Sequence, residues 1–123
     1  MAINRESVME ELYNLANDEK LSNIQIGLFG SFARNEQTDN SDIDVVLKGT
    51  KPLLLVYDGI EGILQTHIKA KLGLECDVVD YADLEADYEE AKEMGIEKYT
   101  LKPIIDREAI WIKGSCFRYR ADR

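Results

Sequence analysis

The most informative stretch of this chain is residues 30–44, which read GSFARNEQTDNSDID. It opens with a Gly-Ser pair, continues through ten residues and closes with Asp-Ile-Asp. Alternating apolar residues predict a strand over 23–29 before it and a second strand over 42–47 at its end. The Gly-Ser pair therefore stands where a strand gives way to the short helix predicted for 31–34, and the two aspartates stand where the next strand begins.

The Gly-Ser end has the features of a phosphate-binding turn. Free backbone N–H groups at the start of a helix attract anions, and glycine lets the backbone approach a ligand closely. The Ser31 hydroxyl can donate to a phosphate oxygen, and Arg34 can clamp a phosphate with its planar guanidinium. Gly30, Ser31 and Arg34 are therefore the predicted phosphate-binding residues, with an ordinary turn and a serine helix cap as the alternative.

The Asp-Ile-Asp end has the features of a metal site. Side chains two positions apart project from the same face of a strand, so Asp42 and Asp44 direct two carboxylates to one point while Ile43 faces the other way. Carboxylate oxygens in this arrangement suit Mg²⁺ or Mn²⁺. The alternative is a solvated strand end in a chain that contains 11 aspartates.

The elements on either side predict the fold class. A helix over 4–18 is capped by Asn4, and a long helix opened by Pro52 ends at Gly73. The apolar stripe of that long helix comprises Val56, Ile60, Ile63, Leu64, Ile68 and Leu72. The other predicted elements are a turn over 48–51, a strand over 74–80, helices over 84–94 and 97–107 separated by Gly95, and a last strand over 109–113. This order predicts an α/β (α+β) protein with one small mixed sheet packed with helices.

The combined pattern resembles the minimal nucleotidyltransferases of the DNA polymerase β superfamily, whose signature is Gly-Ser, ten residues and Asp-x-Asp. Residues 30–34 and 41–45 are especially similar to the small MNT-type domains, which pair as antitoxins with HEPN-domain toxins. The resemblance extends from about Ile3 to Lys113 and implies the polymerase β-like nucleotidyltransferase fold. It departs at Asn35, where many relatives have glycine.

The resemblance also implies a third carboxylate, on the strand after the long helix. Asp77, which precedes two valines, matches that position best, and Asp80 is the second choice. Because side chains alternate along a strand, one of these two aspartates at most can face Asp42 and Asp44. The implied catalytic and metal-binding set is therefore Asp42, Asp44 and Asp77.

The function implied by the resemblance is transfer of a nucleoside monophosphate, usually AMP from ATP, to a hydroxyl acceptor. Two Mg²⁺ or Mn²⁺ ions would lie between the aspartates and the triphosphate. In MNT-type relatives the acceptor can be a tyrosine of the HEPN partner, so the chain is expected to be an enzyme that acts as an antitoxin. The alternative is a non-catalytic antitoxin or adaptor that neutralises its partner by stoichiometric binding.

Length and charge limit the remaining choices. The chain has 123 residues, which predicts a single domain over 1–114 followed by a tail over 115–123. A net charge of -9 argues against a general nucleic-acid-binding surface. It is compatible with a nucleotide whose metal ions neutralise the acids, and with a basic protein partner. Homo- and hetero-oligomers both remain open.

Other sequence features point to a cytoplasmic protein. Cys76 and Cys116 lie far apart and lack metal-binding spacing, so both are expected to be reduced thiols. The first residues lack the apolar core of a secretory signal. The longest apolar run, residues 53–57, is too short to cross a membrane.

Overall fold

The computed structural model describes residues 3–17, 24–49 and 54–112, apart from the side chains of residues 54–58. In chain order its elements are α1 (Arg5–Ala16), β1 (Ile24–Phe29), α2 (Gly30–Ala33), β2 (Ile43–Gly49), α3 (Leu54–Leu72), β3 (Cys76–Asp80), α4 (Tyr81–Glu93), a 3₁₀ turn (Glu97–Tyr99), α5 (Lys102–Glu108) and β4 (Ile110–Ile112). In these ranges no helix combines the length and the apolar character needed to cross a membrane.

The strands form one mixed sheet in the order β3-β2-β1-β4, which confirms the predicted mixed sheet. Strand β1 pairs antiparallel with both β2 and β4, whereas β2 and β3 pair in parallel. A parallel pair needs a long crossover between its strands, and α3 supplies it here. Helices pack on both faces of this sheet.

The main core lies between one face of the sheet and helices α1 and α3. Its sheet residues alternate with residues of the opposite face, as the period of a strand requires. The buried members include Ile26 and Leu28 of β1, Ile43, Val45 and Leu47 of β2, Leu12 of α1, Leu64 and Ile68 of α3, and Phe32 of α2. Phe32 therefore anchors the Gly-Ser turn in the main core.

The second core lies on the other face, under α4 and α5. Phe29, Val46, Tyr81, Leu84 and Ile105 are its buried members. The ring of Trp111 meets the ring of Tyr81 edge to face, with the centroids 6.0 Å apart. This packing fixes α5, and with it the residue that ends α5, against the sheet.

The topology brings three chain segments together at one end of the sheet. Because β1 and β2 are antiparallel, the end of β1 lies beside the start of β2, and Phe29 pairs with Asp44. Because β2 and β3 are parallel, the start of β3 lies on the other side, and Asp44 pairs with Asp77. The Gly-Ser turn and the acidic strand ends therefore share one edge of the molecule.

The first helix follows the prediction closely. The side chain of Asn4 accepts a hydrogen bond from the Ser7 N–H at 2.9 Å, as expected of a helix cap. The predicted inward face, Val8, Leu12 and Leu15, is buried. The end of α3 is also confirmed, because Gly73 takes a left-handed φ of 72° directly after Leu72.

Other boundaries differ from the prediction. Ile63 does not belong to the buried stripe of α3, since 36% of it is exposed. The turn predicted over 48–51 is wrong at its start, because β2 continues through Lys48 and Gly49 while pairing with β1. The helix predicted over 97–107 is divided into a 3₁₀ turn and α5, and the helix predicted to begin at residue 84 begins at Tyr81.

Several predictions concern residues outside the described ranges. These predictions are Pro52 as the first residue of α3, Val56 as part of its stripe, Cys116 as a free thiol and the tail over 115–123. The last strand is described as far as Ile112.

Candidate active site

Gly30 holds the backbone of the predicted phosphate turn close to an acidic side chain. Its φ of 80° lies in the left-handed region that favours glycine. A Cβ atom added to Gly30 would collide with Oδ2 of Asp44, because the Asp44 carboxylate fills the space above the Gly30 Cα. The glycine of the motif is therefore required both by the turn and by the acid that stands fourteen positions later.

The short helix after Gly30 is supported from several sides. Phe32 and Ala33 are buried, and the guanidinium of Arg5 in α1 donates to the Ala33 carbonyl at 2.9 Å. Asn35 then takes a left-handed φ of 61°, a conformation that asparagine tolerates better than most side chains. The left-handed backbone after α2 is therefore accommodated by Asn35 without a glycine.

The three predicted acids lie at the same strand ends. Asp44 is half-buried and pairs with Asp77 on the neighbouring parallel strand, so their side chains share one face of the sheet. Asp42 lies two residues before Asp44 at the exposed end of the loop. Ile43, between them, faces the main core and is fully buried. The predicted alternation around Ile43 is confirmed.

Asp77 and Asp80 have different environments, which separates the two candidates for the third acid. Asp77 is exposed and lies opposite Asp44, whereas Asp80 pairs with Leu47 farther along the strand. The Asp80 carboxylate accepts a hydrogen bond from the Ala82 N–H at 3.0 Å and so caps α4. Asp80 therefore has a structural role, and Asp77 is the aspartate beside Asp44.

The three acids repel one another. The pKa of Asp44 is raised to about 6, first by burial and then by the negative charges of Asp77 and Asp42. The positive charge of Arg34 acts in the opposite direction. A divalent cation beside these carboxylates would relieve the repulsion, so the charge and the donor atoms fit Mg²⁺ or Mn²⁺.

The arrangement of these acids is open. Within residues 3–17, 24–49 and 54–112, no three His, Cys, Asp or Glu side chains converge closely enough to enclose a metal ion by themselves. Mg²⁺ in nucleotide sites typically takes one or two carboxylates and completes its shell with substrate phosphates and water. An open array of acids can therefore serve a cation that arrives with a nucleotide.

Arg34 is held between two glutamates. Its Nε donates to Glu36 at 2.9 Å, and its Nη1 donates to both carboxylate oxygens of Glu108, at 3.1 and 3.3 Å. Its Nη2 makes no hydrogen bond to a residue in the described ranges. The guanidinium is therefore fixed, and one of its nitrogens is left for a further acceptor.

Glu108 is a site residue that the sequence pattern did not indicate. It accepts a hydrogen bond from the Gly30 N–H at 3.0 Å as well as those from Arg34. It lies 78 positions from Gly30 in the chain, so no local spacing signals the contact. The backbone donor of Gly30 is thus already paired, whereas the Ser31 hydroxyl has no hydrogen-bond partner among the described residues.

Two other side chains with reactive groups are His67 and Cys76. His67 of α3 forms a 2.8 Å contact with Glu11 of α1, as expected for a residue that stabilises helix packing. Cys76 is buried, and burial followed by the nearby acids raises the pKa of its thiol to about 12. A thiol of this kind stays protonated and unreactive at neutral pH.

Comparisons with known proteins relate this chain to nucleotidyltransferases. Residues 11–106 match the model of the nucleotidyltransferase domain family. The chain is 33% identical over 82 residues to the protein adenylyltransferase MntA of Thermococcus cleftensis, covering 66% of this chain and 71% of that protein. It is 40% and 36% identical to two candidate protein adenylyltransferases of Methanocaldococcus jannaschii, over 57 and 63 residues. Those two matches cover 46% and 50% of this chain and 58% and 59% of the relatives' lengths.

The same fold occurs in a solved toxin–antitoxin structure. A mutant of the MntA–HpeT pair superposes with a TM-score of 0.53 and 18% identity, covering 92% of this chain and 75% of the other. The match of the family model to most of the chain and the similarity to MntA lead to one conclusion. This chain belongs to the nucleotidyltransferase domain family.

Proposed function

We propose that this chain transfers AMP from ATP to a hydroxyl group with the help of divalent metal. The observation that supports the proposal most strongly is the position of Asp44. Its carboxylate packs against the Gly30 backbone on one side and faces Asp77 on the other. A phosphate-binding turn and an acid pair therefore share one small surface, as transfer of a nucleotidyl group requires.

The metal-binding role falls to Asp42, Asp44 and Asp77. When bound, two Mg²⁺ or Mn²⁺ ions would supply positive charge for the triphosphate and lower the pKa of the acceptor hydroxyl. Asp77 is the exposed member of the pair, so it is placed to accept the proton of the acceptor.

The phosphate side of the site consists of the Gly30–Ser31 turn and Arg34. Within the described residues the Ser31 hydroxyl and the Nη2 of Arg34 make no internal hydrogen bond, and we assign these side-chain donors to the phosphates. Both would bind the β- and γ-phosphates, which leave as pyrophosphate when the acceptor oxygen bonds to the α-phosphorus. The proton of the acceptor hydroxyl passes to the Asp77 carboxylate, so charge and atoms balance.

The acceptor we propose is a tyrosine of a HEPN-type toxin partner. Support comes from the relatives named protein adenylyltransferases and from the fold shared with a toxin–antitoxin pair. The net charge of -9 favours a basic partner by long-range attraction. AMP on a toxin tyrosine would add negative charge and bulk at its surface, which can silence an enzyme that binds RNA.

The experiment that tests this function is a transfer assay. The chain is incubated with α-labelled ATP, MgCl₂ or MnCl₂ and a HEPN-type toxin, and AMP on the toxin is located by mass spectrometry. The wild type should modify a tyrosine. The double variant Asp42→Asn/Asp44→Asn should lose about a hundredfold or more of the rate, because the carboxylates that would hold the metal ions are gone.

Asp80→Asn is the matched control for that variant. It makes the same chemical change on β3, and asparagine still caps a helix well. Its transfer rate should equal that of the wild type. If the Asp42→Asn/Asp44→Asn protein neutralises a co-expressed toxin as fully as the wild type, the catalytic proposal is wrong and stoichiometric binding explains the protection.

A further inference from the structure

Glu108 connects the last helix to the phosphate turn. It ends α5, and its side chain is 15% exposed. Its two carboxylate oxygens accept three hydrogen bonds, one from the Gly30 N–H and two from Nη1 of Arg34. A carboxylate at this depth is stable because each of its oxygens has a charged or backbone donor.

The position of Glu108 is set by packing. Ile105, one turn earlier in α5, is fully buried in the second core. The Ala109 N–H donates to the Ile105 carbonyl at 2.9 Å and closes the end of the helix beside Glu108. The carboxylate is therefore presented to the Gly30 turn from a fixed helix end.

Glu108 restrains Arg34 and the Gly30 turn on the phosphate side. With Nε on Glu36 and Nη1 on Glu108, the plane of the Arg34 guanidinium is restrained. The bond to the Gly30 N–H also holds the left-handed turn, against which the Asp44 carboxylate packs. One side chain thus joins Arg34, Gly30 and, through Gly30, Asp44.

We propose that Glu108 is a positioning residue for nucleotide binding, which rests on the function proposed above. It acts through Arg34 and the Gly30 turn and does not contact the nucleotide. With Arg34 and the Gly30 turn restrained before the nucleotide arrives, less conformational freedom is lost on binding. The competing explanation is that Glu108 occupies these donors in place of a phosphate, in which case its removal would strengthen nucleotide binding.

The variant that separates these explanations is Glu108→Gln. Glutamine keeps the size of the side chain but loses its negative charge, and its NH2 group replaces one acceptor oxygen with a donor that faces Nη1 of Arg34. The affinity for Mg·ATP, measured by calorimetry, should fall about tenfold, as for loss of a charged hydrogen bond. The KM for ATP should rise by the same factor while kcat changes less than about threefold, since the acids that do the chemistry are intact.

Two controls accompany this measurement. Glu93→Gln removes the same charge from an exposed position on α4 and should leave affinity and KM unchanged. In an Arg34→Ala background, Glu108→Gln should have a much smaller effect than in the wild type, because part of its action passes through Arg34.

A nucleotide-free measurement keeps the result independent of the proposed function. Hydrogen exchange of the Gly30 amide should accelerate in Glu108→Gln, and in Glu108→Asp if the first variant folds poorly. Tighter binding of Mg·ATP by Glu108→Gln, or unchanged affinity together with unchanged exchange at Gly30, would overturn the positioning role. Failure of the wild type itself to bind Mg·ATP would instead contradict the proposed function.

Discussion

At the scale of single residues, Gly30 is where the fold and the site depend on each other most directly. Its left-handed backbone and its contact with Asp44 both exclude a side chain. Gly30→Ala should therefore lower the free energy of unfolding by roughly 2–4 kcal/mol, the sum of backbone strain and steric overlap. Denaturant unfolding measures this loss, and Mg·ATP affinity should fall in the folded fraction.

Gly73 provides the comparison that separates backbone strain from steric overlap. Its φ of 72° is also left-handed, but an added Cβ would meet nothing within 4 Å. Gly73→Ala should therefore show the strain alone, about 1–2 kcal/mol. If the two variants lose the same stability, the contact between Gly30 and Asp44 has no energetic weight.

At the scale of elements, Asp80 connects the end of β3 to α4. Asp80→Ala removes the acceptor for the Ala82 N–H and should destabilise the protein by about 1 kcal/mol. Asp80→Asn retains a capping oxygen and should stay within a few tenths of a kcal/mol of the wild type. The stabilities of the two variants are compared by thermal unfolding. Equal losses of stability would contradict the capping role.

Asp106 stabilises the contact between α5 and the start of α4 in a pH-dependent way. Burial alone would raise the pKa of its carboxyl, but hydrogen bonds from Lys102 and Tyr81 outweigh burial and hold that pKa below its usual range. Because the pKa is lower in the folded state, this contribution is complete above the unfolded pKa and is lost as pH falls through the folded value.

The test for Asp106 is a comparison of melting temperatures across pH. The wild type should melt above Asp106→Asn at neutral pH, and the difference should shrink as the solution is acidified below about pH 4. A difference that stays constant down to low pH would mean that the charge of Asp106 does not contribute.

The sequence predicts elements correctly where the signal comes from residues that are close together in the chain. Asn4, Gly73 and the alternation around Ile43 each act within a few residues, and the spacing from Gly30 to Asp44 is the length of the loop that joins two paired strands. The sequence ranked Asp77 above Asp80 by resemblance to the family pattern, and the pairing of β2 with β3 sets Asp77 opposite Asp44. Glu108 could not be found in the sequence because its partners lie in α2 and are brought to it by the packing of α5.

At the scale of the whole molecule, the chain carries a charge of -9, and the exposed face of α4 contributes Glu85, Asp87, Glu89 and Glu90. Any cation therefore reduces general repulsion, so binding of metal at the site must be distinguished from screening. Salt of matched ionic strength screens equally but does not provide a divalent ion.

The last prediction uses this distinction. MgCl₂ with ATP should raise the melting temperature of the wild type by roughly 5 °C or more when ATP is about a hundredfold above its Kd. NaCl of equal ionic strength should give a smaller rise.

The Asp42→Asn/Asp44→Asn protein should have a higher melting temperature than the wild type without metal, because the repulsion on Asp44 is removed. Its melting temperature should rise with MgCl₂ and ATP no more than with NaCl. The control variant Glu85→Gln/Glu89→Gln removes two charges from the exposed face of α4 and should keep the full response to MgCl₂ and ATP. If this control variant loses the response, the cation acts outside the site that contains Asp42 and Asp44.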